Sequence, residues 1–209
     1  MIRIFHDFFN ELRAEDIIFC NWKGHHQVNE NLEGEGDLDI FTPLVSKKKF
    51  EEIATEGGFK RVLSYQAEHP FIEHFYGFDV DTLKFVHLHV YFKIVTGEHI
   101  SKNYMLPLEN YLTRNLDFNF LLPTINENAK LNIFLIRYFL KIGSLFGLVQ
   151  YFREREKYSN EWSSIVHTSD DDIIDLNLSN EILQEMKTTY LSSSPPVSYT
   201  HLTLPTTML

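Results

Sequence analysis

Cysteine is almost absent from this sequence, and positive charge is scarce and scattered. Cys20 is the single cysteine among 209 residues, which excludes an intramolecular disulfide. The chain has 19 lysines and arginines against 29 aspartates and glutamates, a formal net charge of -10, and no long basic cluster. Nonspecific binding to a nucleic-acid backbone is therefore not expected, and no nucleic acid is predicted as a partner.

Long uninterrupted apolar runs and an N-terminal signal-peptide pattern are also missing. The longest apolar run, residues 131–149, contains Arg137 and Lys141, and a charge at the centre of a bilayer costs roughly 2.5–3.5 kcal/mol. We therefore predict a buried helix rather than a membrane span, and a cytoplasmic location. The sequence does have 44% hydrophobic and 14% aromatic residues, which is enough for a sizeable core.

The C-terminal residues do not resemble the rest of the chain. The stretch from Val197 to Thr206 is similar to a translated transposon adapter of the kind used in sequencing libraries. We therefore expect residues 195–209 to be a non-native tail. On this interpretation the native reading frame ends near Ser194, and the natural gene continues beyond it.

Hydrophobic periodicity predicts helices and strands in a mixed order. Apolar residues at helical spacing predict an amphipathic helix over residues 2–13, and Ser46 is a candidate N-cap for a second helix that ends at Gly57. A capping box from Thr124 to Glu127 predicts a long helix toward residue 151. Strands are predicted over residues 17–22, 37–41, 59–64, 72–80 and 84–95, whereas residues 107–123 are expected to connect and residues 152–194 to be helical.

Two aspartates carry the clearest chemical signal. Asp37 and Asp39 alternate with apolar residues in a predicted strand, so their carboxylates share one face about 6–7 Å apart. Such a pair suits Mg²⁺, which takes one or two carboxylates and accepts phosphate oxygens. Lys23 and Gly24 lie upstream at a glycine turn that can receive phosphates, and Gly36 directly precedes the strand. Since like charges repel, replacing either aspartate by asparagine is expected to change stability little or to raise it.

Several short motifs occur together along the chain. They are Trp22-Lys23-Gly24, Gly34-Glu35-Gly36-Asp37-Leu38-Asp39, Tyr76-Gly77-Phe78-Asp79, His87-Leu88-His89-Val90, Thr96-Gly97-Glu98, Leu106-Pro107-Leu108-Glu109, and Arg137 with Lys141. The glycine turn, short helix and Asp-x-Asp strand resemble the nucleotidyltransferase fold. Over about residues 15–145 the chain looks like the nucleotidyltransferase-like N-terminal region of bacterial proteins linked to surface-polysaccharide clusters. Relatives of that group often carry a thymidylate-kinase-like P-loop domain downstream.

The resemblance implies an α+β fold, with a nucleotidyltransferase-like mixed sheet and flanking helices in residues 1–100 and a helical lobe in residues 101–194. It implies metal-dependent transfer of a nucleotidyl group from an NTP to an unknown small-molecule or sugar acceptor in polysaccharide biosynthesis. The chain has no Gly-x-x-x-x-Gly-Lys-[Ser/Thr] loop, so a kinase-like domain would lie beyond the truncation. The implied site consists of Asp37 and Asp39 as Mg²⁺ ligands and catalytic residues, Asp79 as a third catalytic carboxylate, and Lys23, Gly24, Gly36, His87, His89, Arg137 and Lys141 as substrate-binding residues.

Two departures from the family pattern leave other functions open. The usual Gly-Ser of the turn is replaced by Lys23-Gly24-His25, and the strand expected to supply a third carboxylate contains His87 and His89. A catalytically degenerate nucleotide-binding or interaction domain of the same fold is the first alternative. The second is a metal hydrolase that uses the two histidines and an aspartate, which predicts a bound transition metal.

Several residues also have a purely structural interpretation. Arg137 and Lys141, one helical turn apart, are equally well explained as charged side chains at the rim of a core. His25 and His26 are expected at the surface. Cys20 is expected to be a small core residue.

Overall fold

The computed structural model describes residues 1–63, 69–97, 104–142, 149 and 151–168. These residues form an α+β structure, as predicted, with a mixed seven-stranded sheet and flanking helices. The expected tail at residues 195–209 and residues 169–194 of the expected helical lobe lie outside the described residues. The α-helices are α1 (Arg3–Ala14), α2 (Val28–Leu32), α3 (Lys47–Glu56), α4 (Glu109–Arg114), α5 (Glu127–Ile142) and α6 (Arg155–Thr168), and short 3-10 helices span His25–Gln27 and Leu44–Ser46.

The strands are β1 (Cys20–Asn21), β2 (Asp37–Phe41), β3 (Lys60–Val62), β4 (Ile72–Asp79), β5 (Lys84–Tyr91), β6 (Ile94–Thr96), β7 (Tyr104–Leu106), β8 (Leu116–Asp117) and β9 (Thr124–Ile125). The main sheet has the order β3-β4-β5-β2-β1-β9-β8, and β6 pairs with β7 separately. β2 is parallel to β5 and β1 is parallel to β9, whereas the other neighbours are antiparallel. The sheet therefore takes β8 and β9 from a part of the chain in which no strand was predicted.

One face of the sheet is covered by α1 and α3. Strand β2 contributes Leu38 and Ile40 to this core, and they alternate with Asp37 and Asp39, which consequently lie on the opposite face. Burying a large apolar side chain contributes about 1.5–3 kcal/mol, so the four buried apolar side chains of α1 stabilise its packing on the sheet. The helical residues in this core are Phe5, Phe8, Phe9, Leu12, Phe50, Ile53 and Ala54.

The opposite face is covered at one end by α4, α5 and the β6–β7 ribbon. Trp22 and Tyr91 from the sheet pack there with their ring centroids 5.0 Å apart, and Ile133 of α5 belongs to the same cluster. Helix α6 joins α5 through a smaller cluster that contains Phe134 and Tyr158. None of the helices in the described part of the chain is long and apolar enough to cross a lipid bilayer.

Several predicted boundaries and caps differ from the structure. Ser46 precedes α3, but its side chain makes no capping hydrogen bond. Thr124 belongs to β9, and α5 is capped instead by Asn126, whose side-chain oxygen accepts a hydrogen bond from the first turn of the helix at 2.9 Å. The strand expected over residues 17–22 is limited to Cys20–Asn21, because only these two residues pair with neighbouring strands.

Candidate functional site

The two aspartates of β2 lie directly opposite two histidines of β5. In the parallel register, Asp37 is opposite His87 and Asp39 is opposite His89. All four side chains are on the sheet face away from α1 and α3, because the residues that alternate with them are in the core. The structure thus brings these four predicted site residues together.

Asp39 forms a largely buried ion pair with Lys23. Its Oδ1 lies 3.0 Å from Nζ of Lys23 and 3.1 Å from Nδ1 of His89, and the side chains of Asp39 and Lys23 are only 19% and 15% exposed. Burial alone raises the pKa of Asp39, but Lys23 and His89 outweigh it and hold that pKa well below its usual range. Asp39 is therefore ionised, and its charge is already compensated.

Lys23 is enclosed by aromatic rings. Its ammonium group donates a hydrogen bond to the hydroxyl of Tyr91 at 2.7 Å, and it lies 4.6 Å from the ring centre of Tyr91 and 5.3 Å from that of Trp22. Burial lowers the pKa of Lys23, and the charge of Asp39 opposes this shift. Lys23 was expected to bind substrate, but the structure pairs it with a carboxylate that was expected to hold a metal.

Asp37 is the accessible member of the aspartate pair. Its side chain is 60% exposed, and its Oδ1 lies 2.7 Å from Nδ1 of His87. Because a carboxylate only accepts hydrogen bonds, His87 is the donor, and this bond lowers the pKa of Asp37. Nε2 of His87 lies 2.9 Å from Nδ1 of His74, within hydrogen-bond distance, and the ring of Tyr76 is stacked on His87 with the ring centroids 4.3 Å apart. Asp37 therefore ends a row of hydrogen-bonded and stacked rings.

The glycine turn lies beside Asp39 and faces a carboxylate of α6. Gly24 has a φ of +68°, which favours glycine, and a Cβ at this position would lie 3.7 Å from Oδ2 of Asp39. The amide of Gly24 donates to Oε1 of Glu161 at 3.5 Å, and Nη1 of Arg137 donates to the same oxygen at 2.8 Å. Arg137 is 12% exposed and lies 5.8 Å from the ring centre of Trp22, so it is an internal residue rather than one at the rim of the core.

Asp79 is not brought to this site. It lies on the α1 face of the sheet, where its carboxylate accepts hydrogen bonds from the amides of Ile4 at 3.0 Å and Thr82 at 2.9 Å. In β4, Asp79 has the same alternation as Phe75, which lies in the core under α1 and α3, so its side chain is on the face opposite to that of Asp37. The structure therefore corrects the assignment of Asp79 as a third catalytic carboxylate and gives it a structural role at the β4–β5 turn.

Three other predictions concern residues around the turn. Gly36 packs closely against the side chain of Asn31, which gives this glycine a packing reason that involves no phosphate. His25 was expected at the surface, but both of its ring nitrogens are buried, and burial lowers its pKa to about 3. Lys141 belongs to α5, and its side chain lies outside the part of the chain that the structure describes.

The sequence did not identify Glu161, His74 or Tyr91 as neighbours of the site. Glu161 follows Gly24 by 137 residues, and a single glutamate on a helix has no local signature. His74 and Tyr91 are brought to the site by strand register, which pairs His74 with His89. The alternation of polar and apolar residues in β4 was the only available signal for His74.

The donor atoms of this site fit Mg²⁺ only in part. Mg²⁺ takes one or two carboxylates together with water and phosphate oxygens. Asp37 can supply one carboxylate, whereas Asp39 can do so only by giving up Lys23. Within the residues that the structure describes, no three His, Cys, Asp or Glu side chains are grouped so that they could hold a metal ion. Asp37 is thus the accessible carboxylate of the pair, and the described residues offer neither a two-metal centre nor the transition-metal centre of the hydrolase alternative.

Comparisons of the chain with protein-family models, with curated proteins and with solved structures gave no match.

Proposed function

We propose that this chain is a nucleotidyltransferase-like domain that binds a nucleoside triphosphate together with Mg²⁺ but lacks the carboxylates needed for efficient nucleotidyl transfer. The observation that carries the proposal is the register of β2 and β5, which sets His87 and His89 directly opposite Asp37 and Asp39. In the family that the chain resembles, the third carboxylate is expected from the strand that here supplies these histidines. The degenerate alternative is therefore favoured over the active transferase.

Nucleotide binding is supported by the groups that converge around Gly24. Its amide and the guanidinium of Arg137 both donate to Oε1 of Glu161, so that they converge on one position. Backbone amides at a glycine turn and arginine side chains are groups that proteins use to bind phosphate. Asp37 lies on the same side of the sheet as this turn and is exposed enough to share a cation with phosphate oxygens. Mg²⁺, when bound, neutralises phosphate charge and orients the phosphates.

Weak or absent catalysis is supported by the state of Asp39. Its charge is compensated by Lys23 and His89 at 3.0 and 3.1 Å, in a setting from which water is largely excluded. Exchanging these partners for a metal ion would leave the ammonium of Lys23 buried without its carboxylate. Breaking a buried pair in this way costs about 3–5 kcal/mol, which opposes the binding of a metal at Asp39.

Active nucleotidyl transfer is the second candidate, because both aspartates share one face and Asp37 is open to solvent. In that reaction an acceptor oxygen attacks the α-phosphorus, the bond from the α-phosphorus to the bridging oxygen breaks, and pyrophosphate leaves. The family resemblance suggests a small-molecule or sugar acceptor and a downstream kinase-like domain. Both suggestions depend on the resemblance alone.

The test is a calorimetric titration of the protein with each of the four Mg²⁺-NTPs, which measures the Kd of each. Asp37→Asn is expected to weaken binding of the preferred Mg²⁺-NTP at least about tenfold, because it removes the accessible carboxylate. The matched control is Asp7→Asn, since Asp7 on α1 is 61% exposed compared with 60% for Asp37. This control should bind like the wild type.

Pyrophosphate release then separates the two candidates. Binding without pyrophosphate release in the presence of sugar phosphates supports the degenerate domain. Release that depends on Asp37 establishes the transferase instead. If no Mg²⁺-NTP binds, or if Asp37→Asn and Asp7→Asn bind alike, the proposed nucleotide site is wrong.

A further inference from the structure

Glu161 is a buried carboxylate held by two groups that are suited to phosphate. Its side chain is 3% exposed, and its Oε1 accepts hydrogen bonds from Nη1 of Arg137 at 2.8 Å and from the amide of Gly24 at 3.5 Å. Removing a carboxylate from water costs several kcal/mol unless it is paired and hydrogen-bonded. The chain therefore provides at this position an environment that stabilises an oxygen anion.

The electrostatics of this position agree with its geometry. Burial raises the pKa of Glu161, but the charge and hydrogen bond of Arg137 reverse the shift and bring that pKa to about 2. Glu161 is thus fully ionised at neutral pH, although it is shielded from solvent. A phosphate oxygen carries the same charge and accepts the same two hydrogen bonds.

We propose that Glu161 occupies the position of a nucleotide phosphate, so that helix α6 competes internally with the nucleotide for Gly24 and Arg137. This inference rests on the proposed function. A carboxylate and a phosphate cannot share these two donors, because like charges at such short range repel strongly. Helix α6 also contacts the 3-10 helix His25–Gln27, which directly follows Gly24. Binding of the triphosphate must therefore expel Glu161, and α6 then separates from this 3-10 helix.

Such competition lowers the apparent affinity of the domain. When only a fraction of the molecules is in the binding-competent state, the apparent Kd rises in inverse proportion to that fraction. Removing the charge of Glu161 weakens its hold on Arg137 and increases the competent fraction. Nucleotide affinity should therefore increase, which is opposite to the usual result of removing a buried ion pair from a binding site.

The experiment compares Glu161→Gln with Glu156→Gln, an equally sized charge removal at an exposed position of the same helix. Both variants and the wild type are titrated with Mg²⁺-ATP and with inorganic tripolyphosphate, after circular dichroism has shown that they are folded; if Mg²⁺-ATP does not bind, the other three Mg²⁺-NTPs are titrated in the same way. Glu161→Gln is expected to lower the Kd for both ligands at least about tenfold. Glu156→Gln should leave both Kd values unchanged.

Each outcome of the titration has a separate meaning. If wild-type protein binds Mg²⁺-ATP and Glu161→Gln binds it no better, the competition is refuted and the proposed function stands. If Mg²⁺-ATP and the other NTPs bind to neither protein while tripolyphosphate binds more tightly to Glu161→Gln, the anion position stands and the nucleotide function falls. If no ligand binds to any variant, both proposals fall.

Hydrogen exchange on the wild-type protein tests the same inference without a substitution. Ligand binding normally slows amide exchange in the elements that it contacts. Here saturation with tripolyphosphate should accelerate exchange in peptides from α6 by at least about threefold, because the helix loses its contact with the turn. Unchanged or slower exchange in α6 would overturn the proposal, even if Glu161→Gln failed to fold.

Discussion

Replacement of Asp39 by asparagine is expected to destabilise the protein strongly, in contrast to the expectation from sequence that it would have little effect. In the structure Asp39 is the counterion of Lys23 at 3.0 Å, and both side chains are less than one-fifth exposed. Asparagine keeps the shape of the side chain but removes its charge. The ammonium of Lys23 is then left buried with the hydroxyl of Tyr91 and two aromatic rings as its neighbours.

The magnitude follows from the burial of the pair. Removing one partner of a buried ion pair costs about 3–5 kcal/mol. For a chain of this length each kcal/mol lowers the Tm by about 2–4 °C, so the Tm of Asp39→Asn should fall by roughly 6–20 °C. Asp37→Asn is the control, because Asp37 is 60% exposed and an exposed pair contributes only about 0–1 kcal/mol.

At pH 7, urea unfolding monitored by circular dichroism measures the loss in free energy of unfolding, and thermal unfolding monitored in the same way measures the fall in Tm. A double variant, Lys23→Met with Asp39→Asn, removes both charges and should be more stable than Asp39→Asn alone, because no uncompensated ion remains. If Asp39→Asn is as stable as Asp37→Asn, Asp39 is not needed as the counterion of Lys23. The same conclusion follows if removing Lys23 gives the Asp39→Asn variant no added stability.

Three further predictions concern pH, the β4–β5 turn and the core. His25 and His89 have pKa values lowered by burial to about 3 and about 4, so the unfolded chain binds protons that the native state does not. The free energy of unfolding, measured in urea, should therefore keep its full value above pH 6.5. Below pH 6.5 it should decrease by up to about 1.4 kcal/mol per pH unit for each histidine. A free energy of unfolding that stays constant from pH 7 to pH 5 would contradict this. Asp79→Ala should lower the free energy of unfolding by about 1–3 kcal/mol, because amides at the turn lose their hydrogen-bond acceptor, and it should leave the affinity for Mg²⁺-NTP unchanged. A loss of affinity without a loss of stability would show that Asp79 belongs to the site. Gly77→Ala should cost about 1–3 kcal/mol in the same unfolding assay, because the new Cβ would lie 2.7 Å from Cδ1 of Ile4; wild-type stability would show that the core yields there.

The elements in which apolar residues recur regularly over several positions could be predicted from the sequence. Five apolar side chains at helical spacing predict α1, and the structure buries four of them, Phe5, Phe8, Phe9 and Leu12, whereas Ile4 is partly buried against the same core. The alternation in Asp37–Phe41 predicts both a strand and the face on which the aspartates lie. In these cases the local pattern and the final packing give the same answer, so no knowledge of distant residues is needed.

Partners that come from distant parts of the chain could not be predicted. β8 and β9 have two residues each, which is too short for any period, and they become strands only because β9 pairs beside β1. The pairing of Lys23 with Asp39 depends on how β1 and β2 are aligned, and Glu161 reaches Gly24 from a helix at the far end of the described chain. A motif shows which residue types are present. It does not show which charge is already neutralised.

The charges around Gly24 limit how any anion can enter the site. Two internal ion pairs flank the turn, Lys23 with Asp39 and Arg137 with Glu161, and both cations lie within 6 Å of the ring centre of Trp22. Because each cation already has a carboxylate, an incoming phosphate must replace one of them rather than add to it. Asp39 belongs to β2, which is hydrogen-bonded to a strand on each side. Glu161 belongs to α6, which is held by side-chain packing, and such an element opens at a lower free energy than a central strand. An incoming phosphate should therefore replace Glu161 beside Arg137, while the Lys23–Asp39 pair stays in place.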